Sequence, residues 1–286
     1  MGGPNFLDRY GKYFEDFPDV DMYLDRIGLK GVDIPISREG IDIVQFAHLC
    51  TVPFENLDLW DFNKPIDFNI PDLWDKIIVR KRGGYCFELN AFHMHLLQTL
   101  GFEVFPVAAR MVPVDNTDFT PPSMHRMTVV TIDGIRYVTD VGFGSTSAAR
   151  ASICLDDYEK QDILGQIHTV EDRPQNTKLV IRHGDEGPVH VFKFMLNPIP
   201  ILDFIGPNYY MSATGFRMKR IANLHTSEGG ISVDGAIFRE TINGERKETP
   251  IPTPQDAQKI LEERFGMVIN EPMNEKAENP PPVRPA

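Results

Sequence analysis

The residues best suited to chemistry lie in Arg82-Gly83-Gly84-Tyr85-Cys86-Phe87-Glu88-Leu89-Asn90. Two glycines permit a tight turn and positive φ, and the apolar spacing after them starts an amphipathic helix at about Cys86. A thiol in the first turn of a helix meets unpaired N–H groups and the positive end of the dipole, which favours thiolate, the nucleophilic form. A lone cysteine can equally be a small core residue. Position separates Cys86 from the other two: Cys50 falls on the apolar stripe of its own helix, where a buried, inert thiol is expected, and Cys154 has no activating setting.

A nucleophilic thiol needs a base, and the base needs an orienting group. His125 opens one strand-like run and Asp140 closes the next, with Asp133-Gly134 between them. Asp-Gly between two such runs is a strong hairpin signal. If the turn is that two-residue loop, Ile132 pairs with Ile135 and Met127 lies opposite Asp140. His125 then shares a sheet face with Asp140, one diagonal step away, roughly 7–8 Å between Cα atoms. A register slip of one residue would separate them. The alternative, an exposed pair on a solvated strand, fits poorly with the apolar, glycine-rich Val141-Gly142-Phe143-Gly144 that follows. Among the other histidines, His93 and His95 are two apart on one helix and do not share a face, which argues against a helical metal site; one reads as a stripe residue, the other as exposed.

Three textures of chain would position these groups. Residues 1–101 read as a helical domain carrying the nucleophile. Ser37 can cap a helix with Ile41, Val44 and His48 at helical spacing, ended by Pro53. The helix from Cys86 to Leu100 buries Leu89, Phe92, His93, Leu96 and Leu100, with Gly101 at its C′ position. Residues 102–196 change to strand periodicity, with further strands at 177–181 and 189–195. Residues 197–269 carry two more hairpin signals, Asp234-Gly235 and Asn243-Gly244, then a helix capped by Thr253, begun by Pro254 and stopped by Gly266. Residues 270–286, rich in Pro, Glu and Asn, read as a disordered tail.

Composition narrows the function classes. The chain has 286 residues, and 29 basic against 41 acidic side chains give a net charge of −12. So acidic a chain lacks the footprint of a nucleic-acid binder and should avoid anionic membranes. The longest apolar region, Leu96 to Val114, is broken by Gln98, Glu103 and Arg110, short of a membrane span. No apolar signal segment opens the chain, and Phe6 stands where a myristoylation motif after Gly2 needs Ser or Thr. Three widely spaced cysteines suggest a cytoplasmic protein with reduced thiols and no zinc site.

The glycine–cysteine motif, Pro53-Phe54-Glu55-Asn56-Leu57, and Asp140-Val141-Gly142-Phe143-Gly144 with His125 upstream closely resemble the signatures of the arylamine N-acetyltransferases. Over about residues 20–145 the motifs keep the family's order and spacing. Farther on, Asn208-Tyr209-Tyr210-Met211-Ser212 is similar to a family segment. The resemblance implies an α+β fold of helical bundle, β-barrel and α/β lid around a transglutaminase-like Cys–His–Asp core. Carried over, it implies Cys86 as nucleophile, His125 as base and Asp140 as orienter, with Glu55 and Arg82 as a salt bridge bracing the turn. Phe54, Tyr85, Met124, Phe143, Gly144 and Tyr210 match substrate- or coenzyme A-binding positions. It implies acetyl-coenzyme A as donor, a small aromatic amine or hydrazine as acceptor, no metal, and a role in xenobiotic metabolism. The chain departs from the family at Ser212-Ala213-Thr214-Gly215 and at Ser145–Arg150, near the mouth of the donor site in relatives. Two other chemistries use the same triad: an amide synthase acting on a carrier-bound polyketide, and a cysteine peptidase or amidase. A basic carrier-docking patch would mark the first; peptide hydrolysis without coenzyme A would mark the second.

Overall fold

The computed structural model describes residues 6–112 and 121–274; Gly2, Val114 and residues 275–286 of the expectations above lie outside them. The first hundred residues are mainly helical: α1 (Phe6–Tyr10), α2 (Val20–Arg26), α3 (Arg38–Thr51), α4 (Leu57–Trp60), α5 (Ile70–Leu73) and α6 (Cys86–Thr99). Ser37 caps α3 by accepting the Gly40 N–H, and Gly101, at φ +97°, follows the end of α6. α6 is buried on every side from Cys86 to Met94 rather than along one stripe. It therefore serves as the axis around which Tyr23, Ile41, Val44, Leu73 and Ile77 pack. His95, expected to be exposed, is half-buried with its ring edge-on to Phe17 at 4.5 Å.

The Pro53-Phe54-Glu55-Asn56 segment holds a two-residue strand, β1 (Phe54–Glu55). The middle of the chain supplies β2 (Glu103–Met111), β3 (His125–Ile132), β4 (Ile135–Thr139), β5 (Ile153–Cys154), β6 (Gln161–Ile163), β7 (Gln166–Arg173), β8 (Thr177–Gly184) and β9 (Gly187–Met195). These form one antiparallel sheet in the order β5-β4-β3-β2-β9-β8-β7-β6, rolled into a nearly closed barrel. Its seam is bridged by one side-chain amide: Gln161 accepts the Cys154 N–H at 2.9 Å and donates to the Cys154 carbonyl at 2.8 Å. The interior is filled by alternate residues such as Val107, Met127, Val129, Val180 and Phe194.

The β3–β4 register is the one that turn chemistry demands. Ile132 pairs with Ile135 and the ladder runs to Thr128 opposite Thr139. Asp133 and Gly134 both take the positive φ of a type I′ turn.

After a 3₁₀ turn at Ile201–Phe204, the third region contributes α7 (Ile205–Thr214), β10 (Ile221–Thr226), β11 (Gly229–Asp234), β12 (Ile237–Ile242), β13 (Glu245–Pro250) and α8 (Pro254–Phe265). Its sheet runs β1-β10-β11-β12-β13, so its first strand comes from the helical region. Asn243-Gly244 forms the expected turn. The other loop shifts by one: Asp234 pairs with Ile237, leaving Gly235-Ala236 as the turn, with positive φ at Gly235. α8 is capped by Thr253 and ends at left-handed Gly266, as its sequence requires.

The expected disordered tail is corrected over 270–274. Met273 is buried with Ile269 against α8, and Asn274 donates its backbone N–H to Asp61 and its side-chain amide to the Trp60 carbonyl. Among the described residues no helix is long and apolar enough to cross a membrane.

Candidate active site

The turn before α6 is built by close approach, and not by the positive φ its glycines were expected to supply. Neither Gly83 nor Gly84 has positive φ; Lys81 does. A Cβ on Gly83 would lie 1.8 Å from the Pro53 carbonyl oxygen, and one on Gly84 would meet the Glu88 side chain at 2.9 Å. The turn pairs with β1: Glu55 N–H donates to the Gly84 carbonyl at 2.8 Å. Glu88, third in α6, accepts the Tyr85 N–H at 3.0 Å, half of a capping box. Cys86 thus begins the helix in a fixed frame and is 3% exposed.

His125 and Asp140 meet as the register requires, Nε2 to Oδ2, at 2.7 Å and buried. Cys86 lies close enough to the same imidazole to raise it further. Burial pushes His125 down, but the Asp140 charge, its hydrogen bond and Cys86 outweigh this and hold it at about 10. For Asp140, burial pushes up; His125, Asn90 and the Gly142 N–H together keep it below the usual carboxylate range. The imidazole lies flat on Phe192, centroids 5.2 Å apart and planes at 7°. Phe143, half-buried, stands edge-on to Phe192 at 5.2 Å. Gly142 lets this loop touch the helix, since a Cβ there would lie 2.7 Å from the Cys86 Cα.

Asn90 sits one turn after Cys86 on the same face of α6. Its Nδ2 donates to Asp140 Oδ1 at 2.7 Å and to the Arg126 carbonyl at 2.6 Å, and its Oδ1 accepts the Val141 N–H at 2.9 Å. Neither Asn90 nor Phe192 was assigned a role from sequence. The signal for Asn90 was present: an uncharged polar residue four positions after the cysteine, on the same face of the helix.

Glu55 and Arg82 do pair, and the pair belongs to a larger buried cluster. Arg82 donates from Nε (3.0 Å) and Nη2 (2.7 Å) to Glu55 Oε1, and Nη2 also reaches Asp58 at 3.2 Å. Lys76 Nζ lies 2.7 Å from both Asp58 and Glu88. Three carboxylates therefore face two cations away from water. Burial pushes Asp58 and Glu88 up, but Asp58 receives the stronger help from Lys76 and Arg82 and falls well below the usual range. Glu88 keeps a value raised to about 7 because burial outweighs its share of Lys76.

The other expected contact residues separate into wall and support. Phe54 packs its ring over Gly144, whose φ is +73°, and against Phe216 at 5.8 Å. The Gly144 carbonyl accepts from Asn223 at 2.8 Å. Met124 is half-buried immediately before β3. Tyr210 is 53% exposed on α7. Tyr85 is corrected: it is fully buried, and its hydroxyl is occupied by Asn208 and Ser212 of α7, so it ties the helix start to the lid instead of lining a pocket. Cys50 is half-buried, with burial raising its thiol above the ordinary value.

A cysteine at a helix start facing a His–Asp pair on a barrel defines the transglutaminase-like class of fold and site. A family model described as N-acetyltransferase matches residues 39–273. The arylamine N-acetyltransferase of Mycobacterium tuberculosis is 30% identical over 258 residues, covering 88% of this chain and 90% of that protein. The Escherichia coli arylamine N-acetyltransferase is 24% identical over 269 residues, covering 89% and 90%. Among solved structures, the M. tuberculosis arylamine N-acetyltransferase superposes with a TM-score of 0.79 at 27% identity, over 87% of this chain and 94% of that one. The Mycobacterium marinum enzyme in complex with CoA gives 0.78 at 25% identity, over 87% and 93%. The chain belongs to the arylamine N-acetyltransferase family.

Proposed function

We propose that this protein transfers an acetyl group from acetyl-coenzyme A to the nitrogen of arylamines, arylhydrazines or arylhydroxylamines through an acetyl-cysteine intermediate. The observation that carries the mechanism is the buried 2.7 Å contact between His125 and Asp140, with Cys86 beside the same imidazole. Asp140 holds His125 as an imidazolium beside the sulfur. Cys86 attacks the thioester carbonyl, a new S–C bond forms, and the coenzyme A sulfur leaves with the proton of His125. The amine then attacks the acetyl-cysteine. Neutral His125 takes the amine proton as the acetyl–sulfur bond breaks, restoring the starting pair.

Phe143 and Phe54 offer apolar faces to a flat acceptor. Asn90 fixes the second oxygen of Asp140, which leaves Oδ2 for the imidazole. Cys50, Cys86 and Cys154 are free thiols, which suits work in the reducing cytoplasm, and the aromatic acceptors suit a role in xenobiotic metabolism. Support for donor and acceptor comes from the relatives' names and the M. marinum complex with CoA.

Intact-protein mass spectrometry tests the reading. Acetyl-coenzyme A should add one acetyl group to the native protein, an arylamine should remove it, and Cys86→Ser should never acquire it. Acetylation of a folded Cys86→Ser protein, or release without acetylated amine as product, would refute it.

A further inference from the structure

Behind the site runs a second set of buried polar groups. Gln45, His48, His93, Thr139 and Tyr23 are each at most 1% exposed, on α3, α6, β4 and α2. Their hydrogen bonds have only one consistent direction. Gln45 Nε2 donates to the Ala149 carbonyl at 2.8 Å, which turns its Oε1 toward Thr139. Thr139 donates its single proton to that oxygen at 2.8 Å. At the 2.9 Å contact with His93 Nε2, Thr139 can then only accept, so His93 carries its proton on Nε2.

This leaves His93 Nδ1 a bare acceptor, buried and without a partner. On the neighbouring ring, Tyr23 lies 3.1 Å from His48 Nδ1. If Tyr23 donates there, the His48 proton is on Nε2, which is also buried and without a partner. The two rings stand 5.8 Å apart at 77°. Among the described residues the two adjacent rings therefore hold one unpartnered donor and one unpartnered acceptor. The opposite tautomer of His48 would set two bare acceptors in one apolar space. Both rings stay neutral: burial pushes His48 well below its ordinary value and His93 down to about 3 despite the nearby Asp140.

We propose that Thr139, fixed by the chain His93–Thr139–Gln45–Ala149, is the positioning residue that sets where Asp140 presents its carboxylate to His125. The β4 ladder stops at Thr139, so its hydroxyl is the last anchored side chain before Asp140. Gln45 grips both ends of the following loop, Thr139 at its start and Ala149 at its far side. Phe143 and Gly144 ride on that loop. The chain is uncharged, so it holds the loop without competing for the charge of Asp140.

This inference rests on the reading of Asp140 as the orienter of His125, and the test separates the two. Thr139→Val keeps the shape and removes the hydroxyl; Thr139→Ser keeps the hydroxyl. Steady-state acetylation of an arylamine should show Thr139→Val losing roughly 10- to 100-fold in kcat, with KM within about twofold of native and Thr139→Ser close to native. Normal kcat in a folded Thr139→Val protein, while Asp140→Asn is inactive, overturns the positioning role alone. Normal kcat in Asp140→Asn overturns the orienter reading and this proposal with it. If Thr139→Val fails to fold, long-range ¹H–¹⁵N spectra of the native protein decide: His93 protonated on Nε2 supports the chain, and protonation on Nδ1 overturns it.

Discussion

Asn90 holds Asp140 from the helix that begins at Cys86: Nδ2 lies 2.7 Å from Asp140 Oδ1, one helical turn after Cys86. The helix that presents the sulfur therefore also sets the carboxylate, so Cys86 and Asp140 are positioned by one rigid element. Replacing Asn90 with Ala strips a partner from Asp140 Oδ1, the Arg126 carbonyl and the Val141 N–H in a dry place. An unsatisfied buried group costs about 1–3 kcal/mol, so denaturant unfolding should show a loss of at least that size. Turnover should fall as well, because His125 loses its fixed partner. Full activity together with native stability would show that Asp140 is held adequately without Asn90.

Asp140→Asn separates charge from shape. The amide fits the same space and can hydrogen-bond His125, but it cannot stabilise an imidazolium and can select the wrong tautomer. In the serine-protease precedent the analogous change lowers turnover by about 10⁴. We expect a folded protein with most of its kcat lost and with His125 titrating well below about 10. Histidine NMR across pH reads the second effect independently of activity.

How much of this was legible beforehand depended on how local the cause was. A two-residue Asp-Gly turn fixes register by itself, so the His125–Asp140 meeting followed from counting. Caps at Ser37 and Thr253 and stops at Gly101 and Gly266 are likewise decided within a few residues. Gly83 and Gly84 misled, because their purpose is contact with Pro53 and Glu88, and proximity to a distant carbonyl leaves no mark in local spacing. Tyr85 misled for the same reason: the Asn208 and Ser212 that hold its hydroxyl are more than a hundred residues away. β1 gives no strand signal in two residues; it exists because β10 and the turn at Gly84, both distant in sequence, pair with it.

The pH dependence of stability sets Glu88 and His125 against the depressed carboxylates and the buried neutral histidines. Glu88 in the folded protein sits at about 7 against an ordinary 4.5, so its contribution is complete below 4.5 and is lost as pH rises through about 7. His125, at about 10 against 6.5, contributes fully below 6.5 and loses that contribution as pH rises through about 10. Asp58 and Asp140 act oppositely: both are depressed, so their contributions are present above 3.8 and are lost as pH falls through the folded values. His48, His93 and His225, depressed below 6.5, act in the same sense as the carboxylates: their contributions are present above 6.5 and are lost as pH falls. Glu88→Gln, which keeps an acceptor for Tyr85, isolates the Glu88 part. The unfolding free energy of the native protein minus that of Glu88→Gln, measured by urea titration, should fall as pH rises from 4.5 to 7. A difference that stays flat from pH 4.5 to 8 would mean that Glu88 is not raised in the folded protein.

Lys76 gives the sharpest test of the buried cluster, because it lies 2.7 Å from both Asp58 and Glu88 and 3.9 Å from Glu55. Lys76→Met removes one of two cations and leaves three carboxylates dry. Breaking a buried pair by deleting one partner typically costs about 3–5 kcal/mol. Part of that cost should be recovered here by protonation of Glu88, the carboxylate already raised to about 7. The variant should therefore be least stable at alkaline pH and approach native stability near pH 5. Adding Glu88→Gln to Lys76→Met should restore much of the loss at pH 8, since one cation then faces two carboxylates. The turn before Cys86 is held by this same cluster through Arg82 and the Tyr85 N–H, so turnover should follow stability across the set. A coupling energy near zero between Lys76→Met and Glu88→Gln at pH 8 would show that the two side chains do not share their charge, and that the turn is braced by Glu55 and Arg82 alone.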